Sequence, residues 1–147
     1  MKKLIILSAC LLTLSLSAQC YKVDTVTNTS SVQTIANKPL LFGVQTTLEE
    51  IISKGYSLCD TGQIITADIN SVAMPEQLVN IIGIQFLKRQ YIVQTQVNMA
   101  GKILVGESTQ TIYVNAMFVE VTAIPHNKKA ISKAIQKSLQ RAVNTYK

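Results

Sequence analysis

Histidine is almost absent from this 147-residue chain: His126 is the only one, so a multi-histidine metal centre is excluded. Cysteine is scarce too, and Cys20 and Cys59 stand in no C-x-x-C pair that would suggest a zinc site. No apolar run reaches the roughly 20 residues that a membrane-crossing helix needs; the longest, Leu4 to Ala18, stops at fifteen. A phosphate-binding loop is missing as well. Gly101 to Ser108 imitates one, but Glu107 stands where the phosphate lysine belongs and would repel the anion. Gly55-Tyr56-Ser57-Leu58-Cys59 falls one residue short of a nucleophile elbow and follows a helix instead of a strand. Acidic residues, finally, are missing altogether from residues 128–147.

What is present begins with Met1-Lys2-Lys3 and the apolar stretch to Ala18, the basic start, apolar middle and small-residue end of a secretory signal peptide. Cleavage is expected after Ser17 or Ala18 and leaves one domain of about 130 residues. Loss of Lys2 and Lys3 reduces the formal charge of +6, leaving twelve basic against eight acidic groups. Cys20 then lies beside the new amino terminus, with two fates open to it. Lipidation asks for a small residue directly before the cysteine, where Gln19 stands; Cys10 has the better local sequence but too short an apolar core ahead of it. The alternative is a disulfide with Cys59 in an oxidising compartment.

The chain divides into a signal peptide over 1–18, a flexible N-terminal tether over 19–37, and a single α+β domain over 38–147. The tether reading rests on the Thr, Ser and Asn content of YKVDTVTNTSSVQTIAN, which cannot bury enough apolar area to order by itself. A first helix is expected from the capping box Thr47-Leu48-Glu49-Glu50, with Leu48, Ile51 and Ile52 at helical spacing and Gly55 as its stop. Gln63 to Ala73 alternates as a strand with one wet face. Tyr91 to Met99 alternates too, with Tyr91, Val93, Thr95, Val97 and Met99 on one side, and Ala100-Gly101 turns it back into Lys102 to Tyr113 as a hairpin. For residues 74–90 the pattern gives no element, because Leu78 to Phe86 is apolar without a clean period. Asn127 opens the last helix, in which Ile131, Ile135, Leu139, Ala142 and Tyr146 share one arc and Lys129, Lys133, Lys137 and Arg141 the opposite one. These amphipathic pieces predict an α+β fold, an antiparallel three- to four-stranded sheet with two helices packed on one face.

In order and pattern across residues 40–146, the runs LLFGVQTTLEEIISKGYSL, IITADINSV, YIVQTQVNMAGKILVGESTQT and NKKAISKAIQKSLQRAV resemble the YajG-type family of small exported lipoproteins. They resemble, more distantly, lipoproteins that assist envelope assembly. The resemblance implies a cell-envelope protein with no catalytic residues to carry over.

The residues lead to a similar expectation. Spacing alone does not exclude a Cys59–His126 dyad, but a bridged or buried thiol and a histidine at a helix entrance account for both residues more simply. Glu49 and Glu50 are about 100° apart on a helix and poorly placed to share a substrate, while Asp68, Glu107 and Glu120 read as solvent-facing sheet residues. The basic helix has cations beyond what its stability asks for. Lys128 and Lys129 oppose the helix dipole at its N-terminal turn, and Lys133, Lys137 and Arg141 stack like charges at i, i+4 spacing. A solvated face explains them blandly; an anion-docking face formed by Lys129, Lys133, Lys137 and Arg141 explains them functionally. The expectation is a non-enzymatic protein of the periplasm, outer membrane face or exterior, without cofactors. Its partner would be an envelope protein or an anionic envelope component, with membrane anchoring only through Cys20. The alternative is a secreted module for anionic polymers or lipid headgroups, and more remotely a hydrolase. Aromatics are too few on the basic face for single-stranded nucleic acid.

Overall fold

A computed structural model describes residues 19–146; the predicted signal peptide, residues 1–18, and Lys147 lie outside the described residues. Strand β7, Ile84–Met99, organises the rest, because every odd-numbered residue from Leu87 to Met99 is buried on one face. Strand β8, Lys102–Asn115, returns antiparallel along one edge of it, from Met99 opposite Lys102 to Phe86 opposite Asn115. The other edge carries two strands end to end. Strand β5, Gln63–Ala73, pairs with Ile92 to Met99, and strand β6, Glu76–Ile81, pairs with Ile84 to Arg89. Met74-Pro75 separates them, since proline has no N–H to give a ladder. Strand β1, Cys20–Asn28, lies parallel to β5, and the short strand β4, Ser57–Leu58, extends the sheet parallel to β1. Strands β2, Thr34–Ile35, and β3, Lys38–Pro39, form a separate small hairpin.

The sheet is therefore six-stranded and mixed, curled into a half-barrel, and not the antiparallel three- to four-stranded sheet that the sequence predicts. Besides the two-residue β4, the extra strands come from two places. Residues 20–28, in the segment read as a tether, form β1: Tyr21 and Val23 are buried against the core while Lys22 and Asp24 face solvent. Its threonines are β-branched and suit a strand once a neighbour supplies the ladder. Asp68 on β5 fastens the strand's end, accepting hydrogen bonds from Thr27 Oγ1 at 2.8 Å, the Thr29 N–H at 3.1 Å and Thr29 Oγ1 at 2.5 Å. Residues 76–81 supply the other strand, which meets β7 through a two-residue turn at Ile82-Gly83.

Helix α1, Val44–Ser53, buries Val44, Leu48, Ile51 and Ile52, the stripe that periodicity predicts. Its start differs from expectation. Gly43, at φ 75°, makes the entry, and Thr47 already lies inside the helix, its Oγ1 donating to the Gly43 carbonyl at 3.0 Å, so the capping box is not formed. Helix α2, Lys128–Asn144, opens at Asn127, whose Oδ1 accepts the Ala130 N–H at 3.0 Å. Both helices enclose one core with the inner face of the sheet, in which Leu48, Ile52, Ile65, Ile69, Val97 and Leu139 are fully buried. Each such side chain contributes roughly 1.5–3 kcal/mol by leaving water.

Helix α2 sits unusually close to β8. Gly106 lies directly beneath it, and Ser138 Oγ donates to the Gly106 carbonyl at 2.9 Å while meeting Thr95 Oγ1 at 2.7 Å. This buried polar knot fixes the rotation of the helix and so decides which residues it turns outward. The far half of the β6–β7–β8 ribbon extends past the helices and has a small cluster of its own, Leu87, Ala116 and Ile124.

Candidate functional site

The outward surface of α2 is the candidate that the sequence singles out. With Ala134, Ser138, Leu139 and Ala142 locked inward, Lys129, Lys133, Lys137 and Arg141 are all exposed along the opposite side. Lys129, Lys133 and Lys137 form a row in which no acidic side chain is ion-paired to them among the described residues. Arg141 differs. Its Nη1 donates to the Glu107 carbonyl at 2.7 Å, on the strand that forms one border of the sheet. It therefore closes an open backbone acceptor on β8, a way of blunting an edge strand, and the freely presented charge is that of the three lysines.

Cys20 and Cys59 are joined as a disulfide, with 5.7 Å between their Cα atoms. Both lie where β1 and β4 pair, at the end of the sheet opposite the β6–β7 turn. A sulfur in a disulfide cannot also carry a thioether-linked lipid, so the two fates that the sequence allows Cys20 exclude each other. The bridge closes a loop of 39 residues in sequence separation, and its reduction is expected to remove roughly 2–4 kcal/mol of stability. Denaturant titration with and without reductant measures this, and coincident curves would refute a structural bridge. Beside it, Tyr56 packs edge-on against Tyr21 and Tyr146, at centroid separations of 5.4 and 5.8 Å. The hydrogen bond shared with Tyr146, which favours the protonated Tyr21, and then burial push the Tyr21 hydroxyl up from 10.0 to about 12.

No dyad forms between Cys59 and His126. Cys59 is spent in the disulfide, whereas His126 lies against Tyr91, its Nδ1 3.4 Å from the Tyr91 hydroxyl, which also accepts the Asn127 N–H at 2.7 Å. The histidine is part of the entrance to α2. Glu49 and Glu50 remain on α1, Glu107 and Glu120 face solvent, and Asp68 holds the end of β1. Among the described residues no three His, Cys, Asp or Glu side chains come together to hold a metal.

Two of the clefts on the surface lie near these features. One, of about 190 Å³, lies between α2 and the segment after β2, with Ile35, Leu40, Ile131 and Ile135 below Lys38 and Lys128. The other, of about 380 Å³, is an open trough on the outer face of the sheet, lined by Thr25, Thr27, Thr66, Asp68, Gln96 and Asn98. Arg89 is the residue that sequence reading misses most completely. It is 2 % exposed, on the dry face of β7, with Nε 2.7 Å from Glu76 Oε1 and its remaining nitrogens donating to the Pro125 and Ile124 carbonyls. An arginine at an odd-numbered position of an otherwise apolar alternation was the available signal.

No family model matches the chain, and no curated relative matches it. Solved structures with some similarity include a minor lipoprotein from Acinetobacter baumannii, 12% identical over 79% of this chain and 81% of that one, at a TM-score of 0.40. A hypothetical protein from Chlamydia trachomatis is 6% identical over 87% of this chain and 90% of its own, at a TM-score of 0.30. An uncharacterized protein is 12% identical over 86% and 88%, at 0.32. At these scores the likenesses assign no family, and the description as a lipoprotein stays with the Acinetobacter protein.

Proposed function

We propose that this chain is a non-enzymatic, exported protein of the cell envelope that docks on an anionic envelope component through the outward face of α2. The observation that carries the reading is the exposed row Lys129, Lys133 and Lys137 on a helix with no acidic residue. Three like charges at i, i+4 spacing weaken a helix by a few tenths of a kcal/mol per pair, and two cations oppose its dipole at the start. Solubility alone would be met as well by mixed charges. A row of one sign raises the local concentration of an anionic partner and steers its approach.

The amino-terminal run of residues 4–18 supports export, and the Cys20–Cys59 bridge fits an oxidising compartment. The same bridge favours a domain that is free at its amino terminus over one anchored through Cys20, and so departs from the lipid anchor of a YajG-type lipoprotein. Lipopolysaccharide phosphates, acidic headgroups and acidic wall polymers offer the shared chemistry of closely spaced anions.

Retention on heparin is expected, weakening as salt shortens the screening length from about 10 Å at 0.1 M to about 3 Å at 1 M. Lys129→Glu, Lys133→Glu and Lys137→Glu together should abolish it while leaving the melting temperature close to native, because all three side chains are exposed. Unchanged retention in the triple variant would refute the docking face. Arg141 is left intact in this test because it holds the β8 backbone.

A further inference from the structure

The end of the sheet opposite Cys20 is apolar and exposed, and the charge that follows it most directly is the exposed Glu120. Ile82 is 98% exposed and Phe118 is 94% exposed, and Ile81, Ile84, Met117 and Val119 beside them are also open to solvent. The register brings the two segments together. Ile81 pairs with Ile84 across the turn, and the Ala116 N–H reaches the Gln85 carbonyl at 2.9 Å, so that Met117 to Val119 continue past the same end. Neither residues 77–87 nor residues 108–119 contain a Lys, Arg, Asp or Glu. The first cation behind the tip is Lys88, which stands opposite Gln77 on one side and the exposed Tyr113 on the other. At about 3.3 Å per residue, Lys88 lies about 13 Å behind Ile84.

Fold stability does not call for these side chains. Ile82 adopts φ 50° and Gly83 φ 77° in a turn with both central residues in the left-handed region. The chain's other turns of this kind place Ala36-Asn37 and Ala100-Gly101 at those positions. A β-branched residue is crowded there by its own backbone, and asparagine or glycine would relieve it. Ile82 is thus both strained and almost wholly hydrated.

We infer that this tip enters the headgroup boundary of an anionic lipid bilayer, with Ile82 and Phe118 at the edge of the hydrocarbon and Tyr113 and Lys88 at the headgroups. The order along the ribbon matches that of the membrane: apolar and uncharged first, then an amphipathic aromatic ring, then a cation. The tip is also small, a two-residue turn beside the 117–119 segment. A stable protein interface uses about 20–30 residues a side, whereas lipid asks for no complementary surface. Entry stops at the turn and the 117–119 loop, because the open edges of β6 and β8 must keep their water. This inference goes beyond the docking face of α2 and uses none of its three lysines.

The chain contains no tryptophan, so Phe118→Trp gives a single reporter at the tip. With the disulfide-bonded protein and phosphatidylglycerol-containing vesicles, its emission should shift to the blue and be quenched by brominated lipid. Ile82→Gly combined with Phe118→Ser should lower co-flotation with the same vesicles by about tenfold or more, while Ile82→Gly alone leaves the melting temperature unchanged or higher. An unshifted emission, native flotation of the double variant, or no flotation of the native protein would each overturn the inference. So would a tip-dependent dimer in sedimentation without vesicle binding. If flotation is lost in the Lys129, Lys133 and Lys137 glutamate variant and kept in the tip variant, the binding belongs to α2 and the tip inference fails. Flotation kept in the glutamate variant and lost in the tip variant supports the tip, whatever heparin retention shows for α2.

Discussion

Gly106→Ala is expected to destabilise the protein by about 4 kcal/mol or more, an effect reserved for a few mechanisms of which backbone-level overpacking is one. The position allows no accommodation. A Cβ on Gly106 would collide with the Ser138 carbonyl oxygen and stand 2.6 Å from the Ala142 nitrogen, both of them backbone atoms of α2. A crowded side chain can change rotamer, but a helix can only move away. Moving it would open contacts made by Ala134, Leu139 and Ala142, each 0% exposed, and break the bonds from Ser138 Oγ to the Gly106 carbonyl and Thr95 Oγ1. Ser138→Ala should not rescue the variant, because the collision is with main chain. Gly55→Ala serves as the control: nothing lies within 4 Å of its added Cβ, and it should stay within about 0.5 kcal/mol of native. Urea denaturation of the three variants decides the matter, and a Gly106→Ala protein of native stability would mean that α2 does not rest on β8 at this distance.

The parts of the fold that were legible in the sequence are those whose burial is settled within one element. Helix α2 announces both its faces and its Asn127 cap, because eight of its residues meet the core at helical spacing. Strands β5 and β8 and the Tyr91 to Met99 part of β7 show their alternation for the same reason, whereas Ile84 to Gln90, the first part of β7, lies in the segment for which the pattern gives no element. Strand β1 does not show its alternation, since only Tyr21 and Val23 face the core before the register shifts between Val23 and Val26. Its order comes from pairing with β4 and β5, which no local window contains. The turn at Ile82-Gly83 was hidden differently: isoleucine is among the residues least expected at positive φ, so the chemistry that marks such turns is absent. Lys129, Lys133 and Lys137 were legible as a row from periodicity alone. The separate employment of Arg141 was not, because its acceptor, the Glu107 carbonyl, lies 34 positions away and backbone acceptors leave no trace in composition.

Glu76→Ala is expected to cost about 3–5 kcal/mol, more than its exposed position on β6 would suggest, because it strands a buried cation. Arg89 is enclosed on the dry face of β7, and Glu76 is the carboxylate that offsets its charge, at 2.7 Å. The Ile124 and Pro125 carbonyls accept from its other nitrogens but carry no full charge. Removing Arg89 instead, as Arg89→Met, leaves a glutamate that can turn into water, together with two carbonyls that lose a donor at about 1–3 kcal/mol each. The arginine also ties the chain before α2 to the ribbon behind the tip, so its loss should loosen residues 116–125 in hydrogen exchange before it lowers global stability. The two substitutions should not add. With the cation gone, losing Glu76 matters little, so the double variant is expected to be more stable than Glu76→Ala alone, with a coupling of about 2 kcal/mol or more in a double-mutant cycle. Additive losses would show that Arg89 is hydrated in solution and that the ribbon is held to the body by its apolar cluster of Leu87, Ala116 and Ile124 instead.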